Sequence, residues 1–441
     1  MFLCYGSTMK SEHLERCQVA TPHDVVSLLW ALARGERKGQ KFGRVIDLGA
    51  GDARFAQDGR HFHEYLGVER DESRYQGVKL PVNATILHQD ALDVRGIGFD
   101  LCIGNPPYIR HHHLEPGWRN HAHNQLKEAG GPALKLTANL YVLFLAQALL
   151  LTKTTGLVVQ LIPFEWVTRP SAAELRDFIR ENGWGVKVYR FKADIFPTVL
   201  TTASITIIDK SRHDGEWLFG EIGRDGVIES VKTPTGNADG VLPYAARHER
   251  SHALRGLSPG GQEIFVLTEE QRLFHGLRRR RDVVPCVTTL KSVAPDATFL
   301  DTCLFEEQFI RSGRRCWLIR SDRVQLSEVL KDYLKSVGEA WKAYSTCTNR
   351  GTWWQYRGHP IPDLLVSSGF VGKGPKVLVN TAGAIAVGSV YGVIGTGAAG
   401  AGAMAARLRA YDFRRRVVHH ANNLKKIEVN QLNAVLHRLV R

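Results

Sequence analysis

An apolar run over residues 99–103 stops abruptly at Gly104-Asn105-Pro106-Pro107-Tyr108. Leu101, Cys102 and Ile103 read as a buried strand. Pro106 and Pro107 cannot continue it, because each lacks an N–H and has a fixed φ. The chain must therefore leave the sheet at Asn105. An amide, a carbonyl with no ladder partner and a phenol ring are thereby set together at a strand's C-terminal end. In open α/β sheets that edge is where ligands bind.

The residues before this point supply the rest of such a sheet. Val45, Ile46 and Leu48 form a buried strand that runs through Asp47 into Gly49-Ala50-Gly51, a tight turn that lets backbone approach a ligand. A D-x-G-x-G turn alone is equally compatible with an ordinary strand-to-helix turn. A second strand, residues 65–69, ends in Glu69, about twenty positions after the glycines, the spacing at which a carboxylate grips ribose hydroxyls. A third, residues 85–90, ends in Asp90. Thr21-Pro22 ahead of Val25, Val26, Leu28, Leu29 and Leu32 predicts a helix with Thr21 as its N-cap.

Downstream, residues 139–151 predict a helix buried on most sides, with Gln147 inside its apolar run. Residues 157–163, 186–190 and 203–208 predict three more strands, the last two antiparallel for want of a crossover helix between them. A helix over 171–181 is expected, with Ser171 and Glu174 as a capping box. The result is a mostly parallel seven-stranded α/β sheet built from five βα units and a final hairpin. Residues 109–138 carry five histidines, at 111–113, 121 and 123, and read as a long surface loop, lying over DNA or gating the pocket. The histidines lack i, i+4 pairing and a carboxylate or Cys at fixed offset, so no metal is expected.

Charge divides the chain. Residues 1–210 hold 25 Lys+Arg against 22 Asp+Glu, and residues 211–441 hold 33 against 22. The basic excess lies in the second part, with arginine clusters at 278–281, 311–315 and 414–416 and the aromatic-cationic segment Trp353-Trp354-Gln355-Tyr356-Arg357. A polyanion partner, most often nucleic acid, fits this pattern. Residues 395–406, rich in Gly and Ala, read as a flexible loop or a close-packed small-residue segment. Seven scattered cysteines without a Cys-x-x-Cys pair argue against a disulfide framework and a structural zinc. The longest apolar run is too short to span a membrane. A cytoplasmic enzyme is the expectation.

The motifs taken in order, from Thr21-Pro22 to about Ile208, resemble the TaqI-like adenine-N6 DNA methyltransferases of restriction-modification systems. The second half resembles their recognition domain more loosely, at Leu257-Ser258-Pro259-Gly260, residues 353–357, 375–380 and 422–428. The resemblance implies a Rossmann-like class I methyltransferase sheet over residues 1–210 and a C-terminal DNA target-recognition domain over 211–441. It implies S-adenosyl-L-methionine as cofactor and double-stranded DNA as partner. A restriction endonuclease, if one accompanies the chain, would be a separate polypeptide, since only about twenty residues precede Thr21. By the same resemblance Asp47, Gly49 and Gly51 would cradle the methionine part of the cofactor, with Thr21 nearby. Glu69 would bind the ribose and Asp90 the adenine amino group. Asn105 and the Pro106 carbonyl would hold the target N6, with Pro107 fixing their directions. Tyr108 and Phe196 would be the aromatic contacts to a flipped base, and Asn139-Leu140-Tyr141 the helix start beside the cofactor pocket. Ala53-Arg54 stands where the family often has a third small residue. The same motif class also serves RNA and protein-glutamine methylation, and a catalytically silent DNA-binding relative is the remaining alternative.

Overall fold

The computed structural model describes residues 20–192, 202–230, 251–414, 417, 419–421 and 424–440. The chain divides into two compact units, one of residues up to Thr235 with His420–Asn422, the other of Gly236–His419 and Asn423–Arg441.

The first unit is organised by a nine-stranded sheet. Its strands are β1 Phe42–Leu48, β2 Phe62–Glu69, β3 Ala84–His88, β4 Phe99–Gly104, β5 Thr152–Pro163, β6 Gly185–Phe191, β7 Ala203–Asp209, β8 Trp217–Ile222 and β9 Ile228–Ser230. Their spatial order is β3-β2-β1-β4-β5-β7-β6-β8-β9. Strands β1 to β5 pair parallel, and β7 runs antiparallel between β5 and β6. The order 3-2-1-4-5-7-6 with an antiparallel seventh strand is that of a class I methyltransferase sheet, as expected from the motif order. Two strands were not foreseen. β8 adds parallel to β6, and β9 pairs antiparallel with β8, so this sheet runs past residue 210, the boundary expected from charge.

The parallel strands at one side of the sheet are joined without full helices. Between β1 and β2 lie only the 3₁₀ turns Arg54–Ala56 and Gly59–His61, and β2–β3 and β3–β4 carry one each, Glu72–Arg74 and Ala91–Asp93. The expected βα alternation fails here for a local reason. The first connection holds Gly49, Gly51 and Gly59, which disfavour helix, in a span too short for several turns.

Helix α1, His23–Glu36, buries Val25, Val26, Leu29 and Trp30 against the sheet. Its N-cap is Pro22, and Thr21 does not cap it. Residues 109–138 are more ordered than a loop: after a turn at His111–His113 comes α2, Pro116–Glu128. Glu115 caps it by accepting from Gly117 N and Trp118 N, with Pro116 in the first turn. Helix α3, Leu140–Leu151, is almost wholly buried and runs straight into β5. Helix α4 spans Ala173–Glu181; Ser171 sits in a preceding 3₁₀ turn, and Glu174 pairs with Lys135 at 2.7 Å instead of closing a capping box.

The second unit contains a five-stranded sheet in the order His252–Leu254, Val390–Ile394, Leu364–Ser367, Val377–Asn380, Phe299–Leu300. Residues expected to be a flexible or close-packed Gly/Ala stretch form the helix Gly397–Ala410. Ala401, Met404, Ala405 and Leu408 are buried with Val366, Val377 and Leu436. A four-stranded sheet, Val266–Leu267, Trp317–Ile319, Val283–Val287 and Ile385–Ala386, anchors a separate core around Phe265, Phe309 and Leu318. Among the described residues no helix is long and apolar enough to cross a membrane.

Candidate active site

Because the sheet order is β3-β2-β1-β4, the residues that follow these strands stand in a line at one edge: Asp90, Glu69, the 49–51 turn, Asn105. Three strand spacings of about 4.8 Å separate the ends of that line, roughly 14 Å. Sequence positions spread over 57 residues thus become neighbours through parallel pairing alone.

The glycine turn is held from both sides. Gly49 N and Ala50 N both donate to Val68 O, at 2.8 and 3.0 Å. Gly51 N donates to Glu69 Oε2 at 2.9 Å. Gly49 has φ +78°, and a Cβ there would lie 3.3 Å from Pro107 Cδ and 3.4 Å from Phe144 Cε1. The turn therefore packs directly on the motif that ends β4, where a side chain would be tightly met and, at this φ, strained. Ala53 takes the left-handed conformation at φ +57° without being glycine, inside the core. That strain falls at the position where the family often keeps a small residue.

Asp47 lies beneath the turn, 1% exposed. Its Oδ2 accepts from Tyr65 Oη at 2.7 Å, and Oδ1 is buried without a hydrogen bond, over Gly104. Burial raises its carboxyl to about 7, against the lowering effect of the Tyr65 hydroxyl. Instead of lining a surface cradle, Asp47 acts from below, bracing β1 against β2 and β4.

Glu69 is nearly buried, and its carboxylate gathers three backbone amides. Oε1 accepts from Arg70 N and Asp71 N at 2.9 and 3.0 Å, and Oε2 from Gly51 N. Oε2, with Gly51 N as its one donor, keeps a second acceptor direction. Asp90 caps the turn Ala91–Asp93 through Leu92 N at 3.0 Å, and its Oδ2 accepts from Trp118 Nε1 at 2.8 Å. Gln147 Nε2 donates to Ala91 O and Val94 O at 3.3 and 2.8 Å. The lone amide in the apolar run of α3 thus shapes the turn after Asp90. A single polar residue in an otherwise buried helix was the signal for it.

Asn105 Nδ2 donates to Thr21 Oγ1 at 3.1 Å, while Asn105 Oδ1 is buried with no partner. Thr21 is itself fixed, its carbonyl accepting from Arg54 Nη1 at 2.7 Å, and Arg54 pairs with Asp52 at 2.6 Å. Pro106 is buried, and Pro107 and Tyr108 are half-buried. Tyr108 Oη donates to Leu161 O at 2.8 Å, and its ring meets the edge of Tyr141 at 6.2 Å. The exit from the motif is pinned by α3: Leu140 N donates to Ile109 O at 2.9 Å, and Asn139 Oδ1 accepts from His111 N at 3.2 Å. Phe196, the other expected aromatic contact, lies outside the described residues.

In the second unit the arginine clusters separate by role. Arg272 and Arg279 pair with Glu269 at 2.7 and 2.8 Å, and hold its carboxyl down at about 2. Arg315 Nη1 donates to Glu263 O, Val266 O and Gln271 Oε1. These three are structural. Arg278, Arg280, Arg281 and Arg314 are exposed. In residues 353–357, expected as an aromatic-cationic nucleic-acid surface, Tyr356 is buried, Trp353 and Trp354 are half-buried against the core, and Gln355 and Arg357 are exposed. Trp353 stacks on Trp341 at 5.5 Å, and buried Tyr356 donates to Ile319 O at 2.6 Å.

Residues 59–196 match the Eco57I restriction-modification methylase family, and residues 251–410 match the C-terminal domain of the type II methyltransferase M.Eco57I. The chain is 27% identical over 204 residues to the type II methyltransferase M.XamI of Xanthomonas campestris pv. amaranthicola, covering 42% of this chain and 38% of that protein. It is 27% identical over 219 residues to the type II methyltransferase M.TthHB8I of Thermus thermophilus, covering 45% and 48%. The matched part thus spans less than half the length of either relative. Among solved structures, a type I restriction-modification methyltransferase subunit from Streptococcus thermophilus aligns at 18% identity with a TM-score of 0.39, covering 46% of this chain and 47% of that one.

Proposed function

We propose, for a chain that belongs to the Eco57I-type restriction-modification methylases, that it methylates the N6 amino group of an adenine extruded from a specific DNA site. S-adenosyl-L-methionine is the methyl donor. The observation that carries this reading is the state of Asn105: amide N–H held by Thr21, carbonyl oxygen buried and unpartnered. Such an oxygen is costly unless a donor arrives to meet it.

The exocyclic amine of adenine is a poor nucleophile, because its lone pair is delocalised into the ring. Two acceptors aimed at its two hydrogens favour a tetrahedral nitrogen with the lone pair free. Asn105 Oδ1 and the Pro106 carbonyl are such a pair, and Pro106 and Pro107 fix the backbone that carries them. Thr21 keeps Asn105 from presenting its NH₂ in place of the oxygen. Tyr108, its hydroxyl tied to Leu161, offers a ring whose orientation is set in advance. Extruding the base costs a few kcal/mol of pairing and stacking. Stacking on Tyr108 returns roughly 1–3 kcal/mol of it. Phe196 is proposed as the second aromatic contact.

The edge residues fit the methyl donor. Glu69 and Asp90 are acceptors for a ribose diol and a purine amino group, and the turn at Gly49 and Gly51 admits backbone-close approach. When bound, the cofactor supplies an electrophilic methyl on a good leaving group, so no nucleophilic side chain is needed. Catalysis by this chain is positioning and electrostatics. The exposed arginines of the second unit support DNA as the partner and that unit as the target-recognition domain.

Duplex DNA incubated with tritiated cofactor, then digested to nucleosides, tests this. Label in N6-methyldeoxyadenosine is the expected result. Label in RNA or protein glutamine with none in DNA would overturn it.

A further inference from the structure

Asp90 holds a partner that the reading above leaves unused. We infer that Trp118 is a positioning residue for the purine end of the cofactor: its indole N–H aims Asp90 so that one lone pair of Oδ2 remains for the purine amino group. The inference rests on Asp90 receiving that amino group, as proposed above.

The geometry is built from three contacts. Asp90 Oδ1 accepts from Leu92 N, and Oδ2 takes Trp118 Nε1 at 2.8 Å, with Arg70 Nη1 3.9 Å from the same oxygen. A carboxylate oxygen accepts along two directions, so Oδ2 with one indole donor keeps a second. Trp118 reaches this place because Glu115 and Pro116 start α2 where they do, with Trp118 N itself in the cap. One helical turn further, His121 Nε2 lies 3.4 Å from Asp93 Oδ1. Residues three apart share a helix face, so α2 grips the Ala91–Asp93 turn at both of its carboxylates. The backbone before α2 is tied to the motif exit, where Arg119 Nη1 donates to His111 O at 3.3 Å and His111 N donates to Asn139. A side chain that touches Asp90 is thus carried by the segment that leaves Asn105–Tyr108. Held by Leu92 N alone, Asp90 has only Oδ1 fixed. With Trp118 in place both oxygens have fixed directions before the ligand arrives, which lowers the ordering cost of binding.

The test is calorimetric titration of the full chain with S-adenosylhomocysteine and with its 6-oxo purine analogue, S-inosylhomocysteine. The analogue cannot donate an amino hydrogen to Asp90. Trp118→Phe, which keeps an aromatic ring and removes the N–H, is expected to weaken S-adenosylhomocysteine by about 10-fold. The same variant should leave the 6-oxo analogue within about twofold. In an Asp90→Ala background the same change should cost nothing further, since the positioned group is gone. His121→Ala, which removes only the second grip, should leave the preference for the amino purine intact. Equal loss for both ligands in Trp118→Phe would overturn the inference, because it would mean that the indole only supports the helix. Tighter binding would overturn it too, by showing that the indole occupies the purine's place. If the unmodified chain binds neither ligand, the cofactor reading itself falls, an outcome distinct from failure of Trp118 alone.

Discussion

Thr21 and Asn105 are 84 positions apart in sequence and share one hydrogen bond, Nδ2 to Oγ1 at 3.1 Å, which leaves the Asn105 carbonyl oxygen as a buried acceptor without a donor. A threonine expected to cap a helix instead accepts from the amide of Asn105.

Thr21→Val removes that acceptor while keeping shape. Asn105 then loses its preference for presenting oxygen, and turnover should fall about 10- to 100-fold, as for a small misplacement of a reacting partner. Thr21→Ser should retain activity. Steady-state kinetics with cofactor binding measured in parallel checks this; an equal loss in Thr21→Ser and Thr21→Val would mean that packing, not the hydroxyl, matters.

Asn105→Ala removes one of the two acceptors and should lower kcat by roughly 10²–10³-fold, the scale of one preorganised electrostatic contact. S-adenosylhomocysteine affinity should survive, because Glu69 and Asp90 are the proposed contacts to the cofactor's polar groups. Loss of that affinity would show that Asn105 had been misplaced.

Asp47 carries a pH signature. Its carboxyl is raised from 3.8 to about 7 by burial. The folded protein therefore keeps a proton that the unfolded chain releases first. Asp47's contribution is fully present below its ordinary value and is lost as pH rises through about 7. Urea midpoints measured from pH 4 to 8 should show a downward slope in this window, flattened in Asp47→Asn. A slope that persists unchanged in the variant would count against Asp47 as its source.

Gly104 and Asp47 leave no space between them. A Cβ on Gly104 would overlap Asp47 Oδ1. Gly104→Ala should therefore destabilise the protein by about 1–3 kcal/mol, the usual cost of overpacking a closed core. Chemical denaturation checks it, and a neutral effect would mean that the carboxylate can swing aside.

The arginines of the second unit should separate in a salt titration. Alanine at Arg278, Arg280 and Arg281 should weaken DNA binding and lower the salt slope by about 0.9 for each phosphate that is no longer neutralised. Alanine at Arg272 should instead lower the melting temperature, since it strips Glu269 of its nearest charge. The reverse pattern would refute this division.

The sequence by itself determined where the first seven strands of the sheet lie and which residues stand at their ends. A strand that meets Pro106-Pro107 must end, glycines at 49 and 51 must turn, and carboxylates at 69 and 90 follow apolar runs. These are local consequences of φ restriction and side-chain burial, and parallel pairing needs nothing further to set them side by side. Tertiary structure alone decided what each group touches. Thr21 left its helix cap for Asn105, Asp47 went under the turn to Tyr65, and Trp118, in what read as a loop, came to Asp90. Tyr356 went into the core with Trp353 half-buried against it, and Arg279 and Arg315 went into ion pairs and carbonyl contacts. Strands β8 and β9 joined the sheet past the point where charge had suggested a boundary. The physical reason is common to all. A hydrogen-bonding side chain finds its partner through packing between segments remote in sequence, and neither periodicity nor propensity carries that distance.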